Sequence, residues 1–301
     1  MEYSVNKIDA NYGFTVNGVS YIGSPKPHTA MYVAKKVEHL IQNLEGLRDC
    51  LVFAEEGIEA PDSLKEGNCF VFCKSPQLSY AEFVNHFAEE KNNADAKRSY
   101  KLTEEGYYLG ENVQIGSGAY IEPGCLIGHD VIIGKNARIM AGSVIKNAVI
   151  GDYFFCNERA VVGSTSFTMY VDEAGNKQRI ATLGKVIIGN HVEIGACNNV
   201  AAGGCGDTVL EDYVKLDGLI HVGHEAHLHK NAELTAGITV AGFVDIGERA
   251  YVGVNATLRN RVSLGADCFI GMGAVVTKNV ESGVTVVGNP ARKFEPKQQR
   301  T

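Results

Sequence analysis

From Leu109 onward, aliphatic residues recur at every sixth position: Leu109, Ile115, Ile121, Ile127, Ile133, Ile139 and Ile145. A five-residue step resets the phase to Ile150, Cys156 and Val162, and a further run holds Ile188, Ile194 and Val200. The longest run has twelve such stops in succession, from Leu210 to Val276. Two places before a stop the residue is usually small, as at Ala226, Ala232, Ala250 and Cys268. The place after is often glycine, as at Gly116, Gly134, Gly223 and Gly247. A period of six is neither the 3.6 of an α-helix nor the 2 of a lone strand. It is the signature of a hexapeptide repeat. Each hexad predicts one short strand and one corner, and three hexads predict one triangular coil with its aliphatic residues inside. The twenty-five stops amount to about eight coils. Glycine after the stop reads as the residue that permits the corner backbone.

Two stretches break the period, 163–184 and 201–209. Long insertions on a regular scaffold often carry function. Residues 1–100 do not repeat. Phe14–Tyr21 alternates like two strands around Asn17-Gly18, a hairpin signal. Thr29–Leu44 has helical apolar spacing, Cys50–Ala54 and Cys69–Cys73 read as strands, and Pro76–Glu90 reads as a helix. The expectation is a mainly β protein: a small α/β domain over 1–100, a parallel β-helix over 101–280, and a polar tail over 281–301.

Net charge is −7, against the basic field that nucleic-acid binding needs. No run of about 18 apolar residues is present, so no membrane span is expected. The first residues lack a basic-then-apolar pattern, so no secretory signal is expected. Eight cysteines without a Cys-x-x-Cys pair read as reduced packing residues in a cytoplasmic protein.

Four of the nine histidines lie between His221 and His229. His224, two residues after the inward Val222, falls at a corner and projects outward. Asp217 falls one hexad before Gly223, at the preceding corner. A carboxylate on an imidazole fixes its tautomer and raises its basicity, as a general base requires. His221 flanks the same stop. His227 and His229 read as solvated outward residues, and no metal is expected.

Repeats of this kind resemble those of left-handed β-helix acyltransferases. The segment Val214–His224, with Gly206–Val209 and Gly184–Ala196, resembles the UDP-3-O-(3-hydroxyacyl)glucosamine N-acyltransferases of lipid A synthesis. Tyr21-Ile-Gly-Ser-Pro-Lys26 is similar to that family's Phe-Leu-Ser-Asn-Pro-Lys stretch. Ser75–Phe83 is similar to its Asn-Pro-Tyr-Leu-Ala-Phe-Ala segment, so the likeness runs through nearly the whole chain. The resemblance implies His224 as general base, Asp217 as its partner, and Gly242 as the amide facing the oxyanion. It implies Tyr21 stacked on a pyrimidine, with Ser24 beside it and Phe167, Tyr170 and His221 lining the substrate. It also implies a homotrimer with active sites between prisms.

Departures shift the expected donor. The chain stops soon after Arg292, where the family carries a helical extension for acyl carrier protein. Arg261 stands where the family has a histidine. Gly271–Lys278 and Gly288–Arg292 resemble CoA-dependent hexapeptide acyltransferases, which makes Gly271, Gly273, Lys278, Asn289 and Arg292 the CoA candidates. The expected activity is N-acyl transfer from acyl-CoA, a co-substrate rather than a resident cofactor. The acceptor is a dTDP- or UDP-linked amino-deoxyhexose. The alternative is the lipid A enzyme itself, using acyl carrier protein. A second alternative is a zinc enzyme of the γ-carbonic anhydrase kind. Val222–His229 resembles its Gly-His-x-x-x-x-His pair, with His224 and His229 as ligands. An ice-binding solenoid is disfavoured because the outward positions vary.

Overall fold

All twelve stops from Leu210 to Val276 point inward, none more than 3% exposed. The structure, a computed structural model, describes residues 2–294; Met1 and the end of the polar tail, 295–301, lie outside the described residues. Equivalent strands of successive coils pair in parallel and in register. Leu216 opposes Leu234, which opposes Val252. Val222 opposes Val240, which opposes Leu258. Leu210 opposes Leu228, which opposes Ile246. Three sheets of ten, ten and eight strands result. We name them by one outward residue each: the Lys215, His221 and His227 faces. Their aliphatic residues, with Ala226, Ala232, Ala250 and Ala256, form one continuous core. Each buried Ile, Leu or Val contributes about 1.5–3 kcal/mol, which makes the repeat self-sufficient without long strands.

The glycine after each stop has a different cause from the one expected. Its φ is ordinary, and the left-handed residue lies two places later, as at Asn136, Glu225, Phe243 and Arg261. What demands glycine is the next coil. A Cβ on Gly134 would lie 2.5 Å from the Gly151 carbonyl carbon, and one on Gly223 would lie 2.7 Å from that of Ala241.

The chain divides into two compact units. The β-helix comprises Arg98–Ser166, Lys185–Gly203 and, among the described residues, 207–294. The other unit takes the chain up to Lys97 together with Phe167–Gly184 and Gly204–Gly206. The expected boundaries did not place the excursion with the amino-terminal residues. The amino-terminal part of this unit holds the strands β1 (Tyr3–Ser4), β2 (Thr15–Val16), β3 (Gly18–Val19), β4 (Thr29–Val33), β5 (Leu51–Glu55) and β6 (Cys69–Cys73). Strands β3 to β6 form a parallel sheet in that order. A short helix α1 (Asp62–Lys65) precedes β6, and α2 (Pro76–Asp95) follows it.

Two sequence expectations fail here. There is no hairpin at Asn17-Gly18: β2 pairs antiparallel with β1, and β3 pairs parallel with β4. Thr29–Leu44 is not one helix but β4 followed by the 3-10 helix Lys35–Leu44. Strand β4 is central, and Thr29, Ala30, Met31 and Val33 are buried. A strand covered on both faces reads as a continuous apolar run, which periodicity does not separate from a helix. The excursion folds as an antiparallel hairpin, Met169–Val171 with Lys177–Arg179. Asn85 of α2 holds it, donating to the Arg179 carbonyl at 3.0 Å and accepting from the Ala181 N–H at 2.8 Å. Six of the eight cysteines are buried. Among the described residues no helix is long and apolar enough to cross a membrane.

Candidate active site

The corner between the strands His221–Val222 and His227–Leu228 carries His224. The corner requires one left-handed residue, and here it is Glu225, with φ 52°. Its carboxylate hydrogen-bonds Nδ1 of His224. The Glu225 side chain is only 5% exposed, and its N–H donates to Thr208 Oγ1 at 2.9 Å. A buried carboxylate on Nδ1 keeps the proton on that nitrogen and leaves the Nε2 lone pair to accept one. Such an arrangement leaves Nε2 able to accept a proton.

One coil along, Gly242 lies flat against this ring. A Cβ there would be 2.7 Å from Cε1 and 2.8 Å from Nε2 of His224. The Gly242 carbonyl accepts from the Arg261 N–H at 3.1 Å, and the Phe243 N–H donates to the His224 carbonyl at 2.9 Å. Phe243 meets the imidazole edge to face at 5.4 Å, and the Arg261 guanidinium lies 4.1 Å from the Phe243 ring centroid. Glu225, Phe243 and Arg261 are successive left-handed corner residues on one edge. On the adjoining face Asn199, His221, Thr239 and Thr257 stand in register. Asn199 and His221 are in hydrogen-bond contact at 3.2 Å. Burial, and then the neighbouring His224, hold the His221 pKa below its ordinary value.

Asp217 is not the partner of His224 within the chain; Glu225 is. Asp217 sits at the preceding corner and accepts from the Gly218 N–H at 2.7 Å. It lines a groove of about 340 Å³ with Phe155, Glu193, Lys215 and Thr235, on the Lys215 face. A hexad turns the chain by one face, so residues seven apart lie at different corners. Residues sharing an edge are one full coil apart. The zinc reading also fails to assemble: His224 is bound to Glu225, whereas His229 contacts Glu211 and Asp245.

The remaining candidates are dispersed. Tyr21 bridges to Ser24, whose N–H donates to the Tyr21 carbonyl at 2.8 Å. The Tyr21 ring folds over Gly23, where a Cβ would lie 2.3 Å from Cε1, and it packs on the core of its unit. Phe167 is 75% exposed with the Arg179 guanidinium 5.3 Å from its centroid, and Tyr170 is half-buried in the hairpin. Lys278 and Arg292 line a cavity of about 330 Å³ with Lys293. Gly273 is an ordinary left-handed corner, φ 65°. Gly271 is small because Val287 packs on it, at 2.8 Å from a built Cβ. Asn289 is exposed. Sequence reasoning missed Glu225, Thr208 and Phe243. Glu225 and Phe243 were within reach of a simple signal, since both follow a residue already singled out.

The family described as "Bacterial transferase hexapeptide (six repeats)" matches residues 106–135, and "Hexapeptide repeat of succinyl-transferase" matches 244–278. A probable UDP-3-O-acylglucosamine N-acyltransferase 2, mitochondrial, of Arabidopsis thaliana is 34% identical over 147 residues, 49% of this chain and 48% of the relative. UDP-3-O-acylglucosamine N-acyltransferase 2 of Legionella pneumophila is 34% identical over 146 residues, 48% of this chain and 42% of the relative. The chain thus spans less than half the length of these relatives. Among solved structures, a Francisella novicida UDP-N-acetylglucosamine acyltransferase superposes with TM-score 0.59 at 22% identity, covering 65% of this chain and 71% of that one. That likeness shows the fold. The chain is a left-handed parallel β-helix built on hexapeptide repeats. One expectation is overturned. Its relatives carry the name UDP-3-O-acylglucosamine N-acyltransferase, which supports the stated alternative over a CoA-dependent enzyme of dTDP- or UDP-amino-deoxyhexoses. Gly271 and Gly273, which suggested CoA, are accounted for by coil packing and corner geometry.

Proposed function

We propose that this hexapeptide-repeat β-helix is a UDP-3-O-acylglucosamine N-acyltransferase, moving an acyl group from a carrier-protein thioester to the sugar amine. The observation that carries the proposal is the Glu225–His224 dyad pressed against the Gly242 backbone one coil away. In this reading the amine nitrogen attacks the thioester carbonyl and a C–N bond forms. Nε2 of His224 takes the proton the nitrogen sheds, and buried Glu225 stabilises the imidazolium. The Gly242 N–H receives the oxyanion. The C–S bond then breaks, and the departing thiolate takes its proton back from His224. A thioester is already activated, so no covalent enzyme intermediate is required.

The polar row Asn199, His221 and Thr239 is the platform for sugar hydroxyls in this proposal. Lys278 lies on the same edge as His224 three coils further, about 14 Å at the strand spacing. It is the candidate for an anionic group on the carrier arm. The reading includes a homotrimer and a cytoplasmic setting. The test is acyl transfer from acyl carrier protein to UDP-3-O-acylglucosamine by the purified chain and by His224→Ala. The variant should lose about 10²–10⁴-fold in turnover while keeping the wild-type circular dichroism spectrum. Undiminished turnover would remove the base from the mechanism.

A further inference from the structure

On the His227 face, away from the dyad, four titratable side chains from three successive coils meet. Val209 opposes His227, which opposes Asp245, so these rungs stack directly. Glu211 Oε1 stands 2.8 Å from Nε2 of His227 and 3.0 Å from Nδ1 of His229. The two rings stack with centroids 3.9 Å apart. On their other side Asp245 Oδ2 lies 3.3 Å from Nε2 of His229 and 3.9 Å from Nδ1 of His227. Each imidazole thus has a carboxylate at both nitrogens.

Glu211 Oε1, His227 Nε2 and His229 Nδ1 lie close enough together for one cation to take all three as ligands. Both rings are then neutral, and their remaining N–H groups turn to Asp245. A carboxylate on the distal nitrogen is the usual support of a metal-bound histidine. The sizes agree as well. The three ligand atoms lie within 4.8 Å of one another. Zinc bonds of about 2.0–2.1 Å place neighbouring tetrahedral ligands about 3.3 Å apart, so a few tenths of an ångström of opening suffices. Two imidazoles with one carboxylate select a borderline transition cation over Mg²⁺ or Ca²⁺. Main-chain hydrogen bonds also anchor the set: the Lys230 N–H donates to Glu211 Oε2 at 3.0 Å.

We infer that Glu211, His227 and His229 form a zinc-class divalent cation site, with Asp245 as its supporting carboxylate, clamping three coils together. The site is independent of the proposed transfer chemistry, since none of the four residues belongs to the dyad.

The experiment is calorimetric titration of the chelator-treated full chain with Zn²⁺ alone and with Mg²⁺ alone. The expected result is one Zn²⁺ per chain, no Mg²⁺ binding, and a melting temperature raised by Zn²⁺. The double variant Glu211→Gln, His229→Asn should lose the binding. Asp245→Asn should weaken it about 10–100-fold, and Glu225→Gln should leave it unchanged. If the double variant does not fold, Co²⁺ is added to His227→Gln, and the visible absorption seen with the wild type should vanish. No uptake by the wild-type chain overturns the inference, as does unchanged uptake in folded variants of the three ligands.

Discussion

Gly242→Ala is the sharpest probe of the candidate active site, because the atoms nearest the added methyl group all belong to the His224 ring. The φ of Gly242 is not in the left-handed region, so alanine brings no backbone strain. Its Cβ would stand 2.7 Å from Cε1 and 2.8 Å from Nε2 of His224. Carbon atoms in contact rest at about 3.5 Å or more, so the imidazole must retreat by roughly 0.8 Å. It cannot slide freely, since Glu225 holds Nδ1 and Phe243 meets the ring at 5.4 Å. A displacement near 1 Å at a reacting group costs about 10²-fold. Turnover should therefore fall about 10–100-fold, with KM little changed, because the sugar platform on the His221 face is untouched. The assay is steady-state acyl transfer to UDP-3-O-acylglucosamine, with the melting temperature measured in parallel. Turnover within about two-fold of wild type in a folded variant would refute the packing argument and the place of the oxyanion with it.

Four further outcomes are expected. Glu225→Gln should lower turnover at least about 10-fold, less than His224→Ala does, because an amide still orients Nδ1 but does not stabilise the imidazolium; equal losses in transfer assays of the two variants would contradict the division of roles. His221 has a lowered pKa in the fold, so the unfolded chain binds the extra proton first as pH falls through 6.5, and stability declines there. Melting curves of His221→Asn between pH 7 and 5 should show a smaller acid-side decline than wild type. Gly134→Ala places a Cβ 2.5 Å from the Gly151 backbone, and this overpacking should cost about 1–3 kcal/mol, seen as a melting temperature lower by roughly 2–10 °C. A thiol reagent on the native protein should label exposed Cys197 first, because burial pushes the Cys50, Cys69 and Cys268 thiols up to about 11 and Cys156 to about 12; mass mapping of early adducts checks this.

The β-helix was legible because its rule is local and repeated. One aliphatic residue per hexad suffices to place Leu216 over Leu234 and Val222 over Val240. The small unit was less legible because its β4 strand is buried on both faces and carries no alternation. Gly23, which lets the Tyr21 ring fold back onto its own turn, carries no periodic signal at all. The site lies between these cases. His224 and Gly242 share an edge because one full coil separates them, a spacing open to inspection. Asp217 failed for the same reason, since seven residues cross a corner. The partner that replaced it, Glu225, was hidden by the corner's own demand. The third residue after most stops adopts a left-handed backbone, a place that glycine and asparagine fill at Gly237, Asn231 and Asn255. Glutamate, phenylalanine and arginine at 225, 243 and 261 each accept a strained φ of 52°, 60° and 63°, at a cost of order 1–3 kcal/mol apiece. These three successive corners hold the imidazole's carboxylate, its edge-to-face ring and the cation stacked behind it. Large side chains fill the same place on the other edges, as at Tyr153, His191, Tyr213, Leu219 and Arg249, so the corner residue alone does not mark the edge, and it is the contact of Glu225 with His224 that distinguishes it.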